Sequence, residues 1–141
     1  MNQALTRGPR VWQGRAVAGE QNIETVKGLW RAFSRGGLDS VLTIVDEEVE
    51  WIPFGGGGNT FRGHEGLRRY MHEREERQGD VTAEPFGYGD YGESVIVYGH
   101  VVHGEADHRV FWVYSFHDGK LCRFEAFTDQ DAAFAAARAT A

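Results

Sequence analysis

The sequence predicts an α+β domain with a mostly antiparallel sheet, and three observations carry that prediction. Helix-period apolar residues gather in residues 22–78 and in a short Ala-rich C-terminal tail. Strand-period segments fill the stretch between them, from about Thr82 to Phe127. Within that stretch, His108–Asp129 reads as two strands joined at Asp118-Gly119, with both faces of the ribbon partly apolar. Segregated helices and strands of this kind favour α+β over an alternating parallel fold.

The first helix is expected over Asn22–Ser34, where Ile23, Val26, Trp30 and Phe33 fall on one face. Gly36-Gly37 ends it. A short second helix follows from Leu38 or Asp39, with Val41, Leu42, Ile44 and Val45 as its apolar side, until Asp46-Glu47-Glu48 breaks the pattern. Val49–Pro53 reads as a short strand closed by its proline. Phe54–Gly63 contains Gly55–Gly58 and reads as a mobile loop. It lacks the Lys-Ser/Thr pair that a phosphate-cradling P-loop requires. A third helix runs from about His64 to Gln78 on a stripe of Leu67, Tyr70 and Met71. His64 and His72 are eight apart, which is not the spacing of a zinc-protease helix. Strands then follow at Thr82–Tyr88, Ser94–His103, His108–Phe116 and Lys120–Phe127. Thr128 and Asp131 read as a capping box for a final helix from Asp129 to about Ala139.

The totals bound the function. The 141 residues suit one domain, 21–141, behind a flexible Arg-bearing tail over residues 1–20. Apolar residues make up 41% and aromatics 13%, enough for a core. No run approaches the roughly 20 apolar residues of a membrane span, and no signal-peptide pattern opens the chain. The net charge of −6 argues against nucleic acid and anionic membrane as partners. Cys122 is the one cysteine, so no internal disulfide forms and a cytoplasmic location is expected.

A three-residue turn at His117-Asp118-Gly119 pairs Phe116 with Lys120, Trp112 with Phe124 and Tyr114 with Cys122. Arg109, Phe111, Val113 and Ser115 then share the other face with Leu121, Arg123, Glu125 and Phe127. The apolar members of that second face would leave a large exposed patch on a monomer, so a homodimer is expected through it.

Four segments, Leu29–Asp39, Val49–Pro53, Phe61–Leu67 and Asp118–Leu121 with Thr128-Asp129, together resemble the nuclear transport factor two-like superfamily in its SnoaL-like branch. The resemblance spans about Asn22 to Ala136. It implies a cone-shaped curved sheet wrapped around helices and enclosing a pocket. Members include ketosteroid isomerase, polyketide cyclases, limonene epoxide hydrolase, dehydratases and non-catalytic modules, so the resemblance implies a fold more than a reaction. Position by position, the isomerase's general base falls at Ile52, its oxyanion-hole tyrosine near Leu29 and its protonated aspartate near Trp112. The epoxide hydrolase's Arg-x-Asp pair falls where this chain has Tyr98-Gly-His100. Neither catalytic set carries over.

The remaining polar groups define the candidate site. His100 can act as a general base near neutrality, with Tyr98 on the same face of its strand as a hydrogen-bond donor. Glu50 shares the parity of Ile52, and both are expected to point inward, where burial would raise the carboxyl pKa. Tyr114 is a second donor. Trp30, Phe33, Ile52, His108, Trp112 and Phe124 are expected to line a pocket for a small apolar or aromatic ligand. The facing of Tyr98 and His100 depends on a turn. A Gly104–Ala106 loop sends Tyr98 inward opposite Trp112, whereas a Glu105-Ala106 loop sends both outward and sets His103 beside His108. Two histidines are too few for a zinc site, so no metal and no cofactor is expected. Cys122 reads as a buried small apolar side chain. Two functions stay open. One is a cofactor-free isomerase, cyclase, dehydratase or hydrolase working by acid–base catalysis. The other is a non-catalytic ligand-binding or dimerisation module.

Overall fold

Helix α1 spans Gln13–Ser34 and opens a chain whose computed structural model describes residues 13–34, 38–53, 60–77 and 81–140. It begins earlier than its apolar stripe implied. Composition assigns residues 13–20 to the tail, yet they extend the helix, since Ala16 and Ala18 favour it and no proline interrupts. Residues 1–12 of the expected tail, and the Gly55–Gly58 loop, lie outside the described residues. Val26 and Leu29 are fully buried on α1.

The second helix is one turn, α2 (Leu38–Val41), followed by a 3-10 turn over Leu42–Ile44. The chain then extends at once into β1 (Val45–Ile52). The acidic run therefore lies inside a strand. Glu47 and Glu48 point to solvent, Asp46 Oδ1 accepts from the Glu48 N–H at 2.8 Å, and the pairing of β1 is irregular between Val45 and Glu50. A two-residue strand, β2 (Phe61–Arg62), pairs antiparallel with β1 in the stretch read as loop. Helix α3 (Gly63–Arg77) follows, with Leu67 and Met71 buried.

Strands β3 (Val81–Tyr91), β4 (Ser94–His103), β5 (Ala106–His117) and β6 (Lys120–Phe127) form a meander, and α4 (Gln130–Thr140) closes the chain. Asp129 caps α4: its Oδ2 accepts from the Ala132 N–H at 2.9 Å, one position later than the expected Thr128 cap. The described strands form a curved, mostly antiparallel sheet in the order β2-β1-β6-β5-β4-β3, with β1 and β6 parallel. Helices α1 and α3 cover the inner face and α4 the outer face. No helix among the described residues is long and apolar enough to cross a membrane.

Two turns decide which side chains share a face. The β5–β6 turn has two residues, with Asp118 at φ 52° and Gly119 at φ 78°, so His117 pairs with Lys120. Taken alone, that turn would reverse the facing of β6. An extra residue at Cys122 shifts the register once more, so Ser115 pairs with Arg123 and Tyr114 with Phe124. Trp112, Tyr114 and Phe124 thus stay on the inner face, although Trp112 lies opposite Ala126 rather than Phe124. Leu121 precedes the bulge and joins the inner core instead of the outer face. The β4–β5 turn is Gly104-Glu105, with His103 opposite Ala106. Tyr98 pairs with Phe111 and His100 with Arg109, both on the outer face, and His108 pairs with Val101.

Candidate functional site

The inner face is built from rings. Trp30 of α1 meets Trp112 edge-on at 4.9 Å between centroids, Trp51 stacks on Phe124 at 4.1 Å, and Phe124 lies 4.9 Å from Tyr114. Trp112 and Phe124 are each 5% exposed, inside a core that includes Val49, Leu67 and Val110. The side chain of Phe33 lies outside the described residues. His108 shares the inner parity but is exposed near the strand end.

Two polar groups of this face, the Trp30 indole and the Tyr88 phenol, can donate hydrogen bonds. The Trp30 indole Nε1–H is buried and has no hydrogen-bond partner among the described residues. An unsatisfied buried donor costs about 1–3 kcal/mol. Burial raises the Tyr88 phenol above its ordinary value, against the nearby Arg31 charge, so it stays protonated at neutral pH. Lys27 Nζ stands 5.3 Å from the Tyr88 ring. Among the described residues no carboxylate or imidazole is buried.

The acid–base candidates lie elsewhere. Glu50 and Ile52 point outward, because Val49 and Trp51 take the inner positions of β1. Glu50 Oε2 accepts from Arg62 Nη1 at 2.6 Å, and its Oε1 lies 3.6 Å from Arg123 Nε, an ionic contact too long for a hydrogen bond. Arg123 also reaches Glu125 at 3.0 Å. His100 sits on the outer face between two carboxylates, with Nε2 2.9 Å from Glu84 Oε1 and Nδ1 2.9 Å from Asp107 Oδ1. Only the imidazolium donates from both nitrogens. The Glu84 hydrogen bond raises its pKa, partial desolvation opposes that, and Asp107 adds to the rise. Of the four acid–base candidates, then, Tyr114 alone faces the inner rings.

The outer face holds a cleft that the sequence reading missed. It has a volume of about 450 Å³ and lies between α4 and β3–β5, walled by Phe86, Tyr91, Ile96, Tyr98, Phe111 and Phe134. Ala133 and Ala137, both fully buried, let α4 approach Ile96, Phe111 and Val113 closely. Phe86 is the extra residue where the β3 register shifts between Pro85 and Gly87, and it is 66% exposed. The Tyr98 ring lies over Gly87, where any Cβ would come within 2.5 Å of it. The Ala-rich tail and the Pro85–Gly87 irregularity were the available signals. Among the described residues no group of three or more His, Cys, Asp or Glu is placed to hold a metal. Cys122 is half-buried, and burial raises its thiol pKa, with the Asp46 charge adding to the effect.

Residues 26–124 match the family model of the SnoaL-like domain. Among solved structures, the chain is similar to an NTF2-like protein of unknown function from Burkholderia pseudomallei K96243, at 24% identity and TM-score 0.66 over 79% of this chain and 93% of that one. It is similar to TerC co-crystallised with polyporic acid, at 24% identity and TM-score 0.65 over 84% and 98%. It is also similar to a candidate polyketide cyclase from Sinorhizobium meliloti, at 16% identity and TM-score 0.64 over 74% and 94%. No curated protein matches significantly.

Proposed function

Because the chain belongs to the SnoaL-like domain family, we propose that it binds an apolar small molecule carrying an acceptor oxygen, on the inner face beside Trp30, and does so without acid–base catalysis. The observation that carries this reading is the makeup of the inner cluster. It offers aromatic rings and an unpartnered indole N–H, and among the described residues no carboxylate or imidazole is buried. A ligand carbonyl would satisfy that N–H. TerC, crystallised with polyporic acid, supports a small organic ligand for this fold.

The enzyme reading loses support because His100, Tyr98 and Glu50 stand on the opposite face of the sheet. The homodimer reading also loses its motive, since α4 covers Phe111 and Val113, leaving them 8% and 3% exposed within one chain.

The test is a titration with aromatic ketones, read by ligand-observed NMR. Saturable binding that Trp30→Phe weakens about tenfold, or ~1.4 kcal/mol, supports the reading. Turnover with a bell-shaped pH–rate profile that is lost in His100→Ala or Glu50→Ala overturns it.

A further inference from the structure

We infer that the outer-face cleft is a second binding site, selective for an elongated aromatic carboxylate whose anionic group pairs with Arg109. The wall of the cleft is aromatic and aliphatic, and its volume of about 450 Å³ suits a molecule of two or three fused rings. Arg109 lines the cleft and projects from the same face of β5 as Phe111, two residues away, while Tyr98 pairs directly with Phe111. A ring held against Tyr98 and Phe111 therefore brings a substituent within reach of the guanidinium.

The charge pattern sets the sign of the ligand. Arg109 forms no ion pair among the described residues. The carboxylates nearest to it in the ladder, Glu84 and Asp107, are both hydrogen-bonded to His100. That leaves a cation at an apolar wall with its neighbouring acids engaged, an arrangement suited to bidentate carboxylate recognition. Asp90 also lines the cleft, but it pairs with Val95, five residues along β4 from the His100 level, about 17 Å away. The two charges thus mark opposite ends, and the carboxylate belongs at the Arg109 end.

This site is independent of the inner-face reading, because the sheet separates the two. The test uses 2-naphthoate as probe and uncharged 2-naphthylmethanol as control, read by calorimetry and by amide chemical shifts. The expected result is saturable naphthoate binding that shifts Tyr98, Phe111 and Phe134. Arg109→Gln should weaken it at least tenfold, Arg109→Lys less, and the alcohol should bind weakly and ignore both variants. Equal affinity for the two probes overturns the proposal, as does indifference to Arg109→Gln. Shifts confined to Trp30 and its neighbours overturn it and leave the inner site standing. Sedimentation showing a dimer that naphthoate does not dissociate, and that Phe86→Ser with Tyr98→Ser does, assigns the cleft to a second copy and likewise overturns it.

Discussion

Tyr114 and Phe124 lie directly opposite each other across β5 and β6, with ring centroids 4.9 Å apart, only because Cys122 bulges out of the pairing. The two-residue turn at Asp118-Gly119 sets one parity, and the bulge restores the other. Deleting Cys122 removes only the unpaired residue, so Ser115 still meets Arg123 and Phe124 still faces Tyr114. We expect the variant to keep cooperative thermal unfolding and its near-ultraviolet circular dichroism. Loss of both would show that the bulge itself, beyond the register it sets, is required for the fold. Phe124→Ala, which keeps the register, should destabilise by about 3–5 kcal/mol in urea titrations.

Gly99 sits where β4 passes close to β3. A Cβ there would lie 2.0 Å from the Glu84 carbonyl oxygen, which is backbone and cannot swing aside. Gly99→Ala must push the two strands apart, at a cost of about 1–3 kcal/mol by the usual scale of overpacking. Chemical denaturation measures it, and an unchanged midpoint would mean that the strands are free to separate.

The His100 clamp makes stability depend on pH. Its folded pKa lies above the ordinary 6.5, so the folded state binds more protons than the unfolded chain near neutrality. The contribution is fully present below about pH 6.5 and is lost as pH rises through the folded pKa. Melting temperature should fall between pH 6 and 8, and His100→Gln should flatten that slope. A slope of opposite sign in the wild type would contradict the clamp.

Cys122 should resist alkylation. Burial and the Asp46 charge both raise its thiol pKa, and the Sγ–H donates to the Ser115 carbonyl at 3.3 Å. At pH 8 iodoacetamide should react more slowly with the folded protein than with the urea-unfolded chain. Equal rates in the two states would show that the thiol is open to solvent.

The Glu50–Arg62 pair, 36% and 68% exposed, should matter little. Glu50→Gln should cost at most about 1 kcal/mol, and less at high salt. A larger loss would give Glu50 a role beyond a surface ion pair.

Local pattern is enough for the main helices, the meander of β3–β6 and the ring-rich inner face, because periodicity is written along the chain, but not for β2 or the start of β1. Alternation on either side of a three-residue turn puts Trp112 and Phe124 on one face; they share that face through a two-residue turn and a bulge instead. Glu50 and Ile52 face outward rather than inward, because alternation within one strand does not say which of its two faces meets the core, and packing buries Val49 and Trp51. His100 and Tyr98 could not be placed, since a shift of one residue in the Gly104-Glu105 turn reverses every side chain on the strand.

The sequence by itself determined the composition of the two faces: which residues alternate, how many are aromatic, and how few acids or bases accompany them. Tertiary structure alone decided which face meets which helix, where the cleft opens and which carboxylates His100 holds. Those outcomes rest on pairing between strands and on α4 folding back across the sheet. They are sums of turn lengths and bulges that no single segment contains.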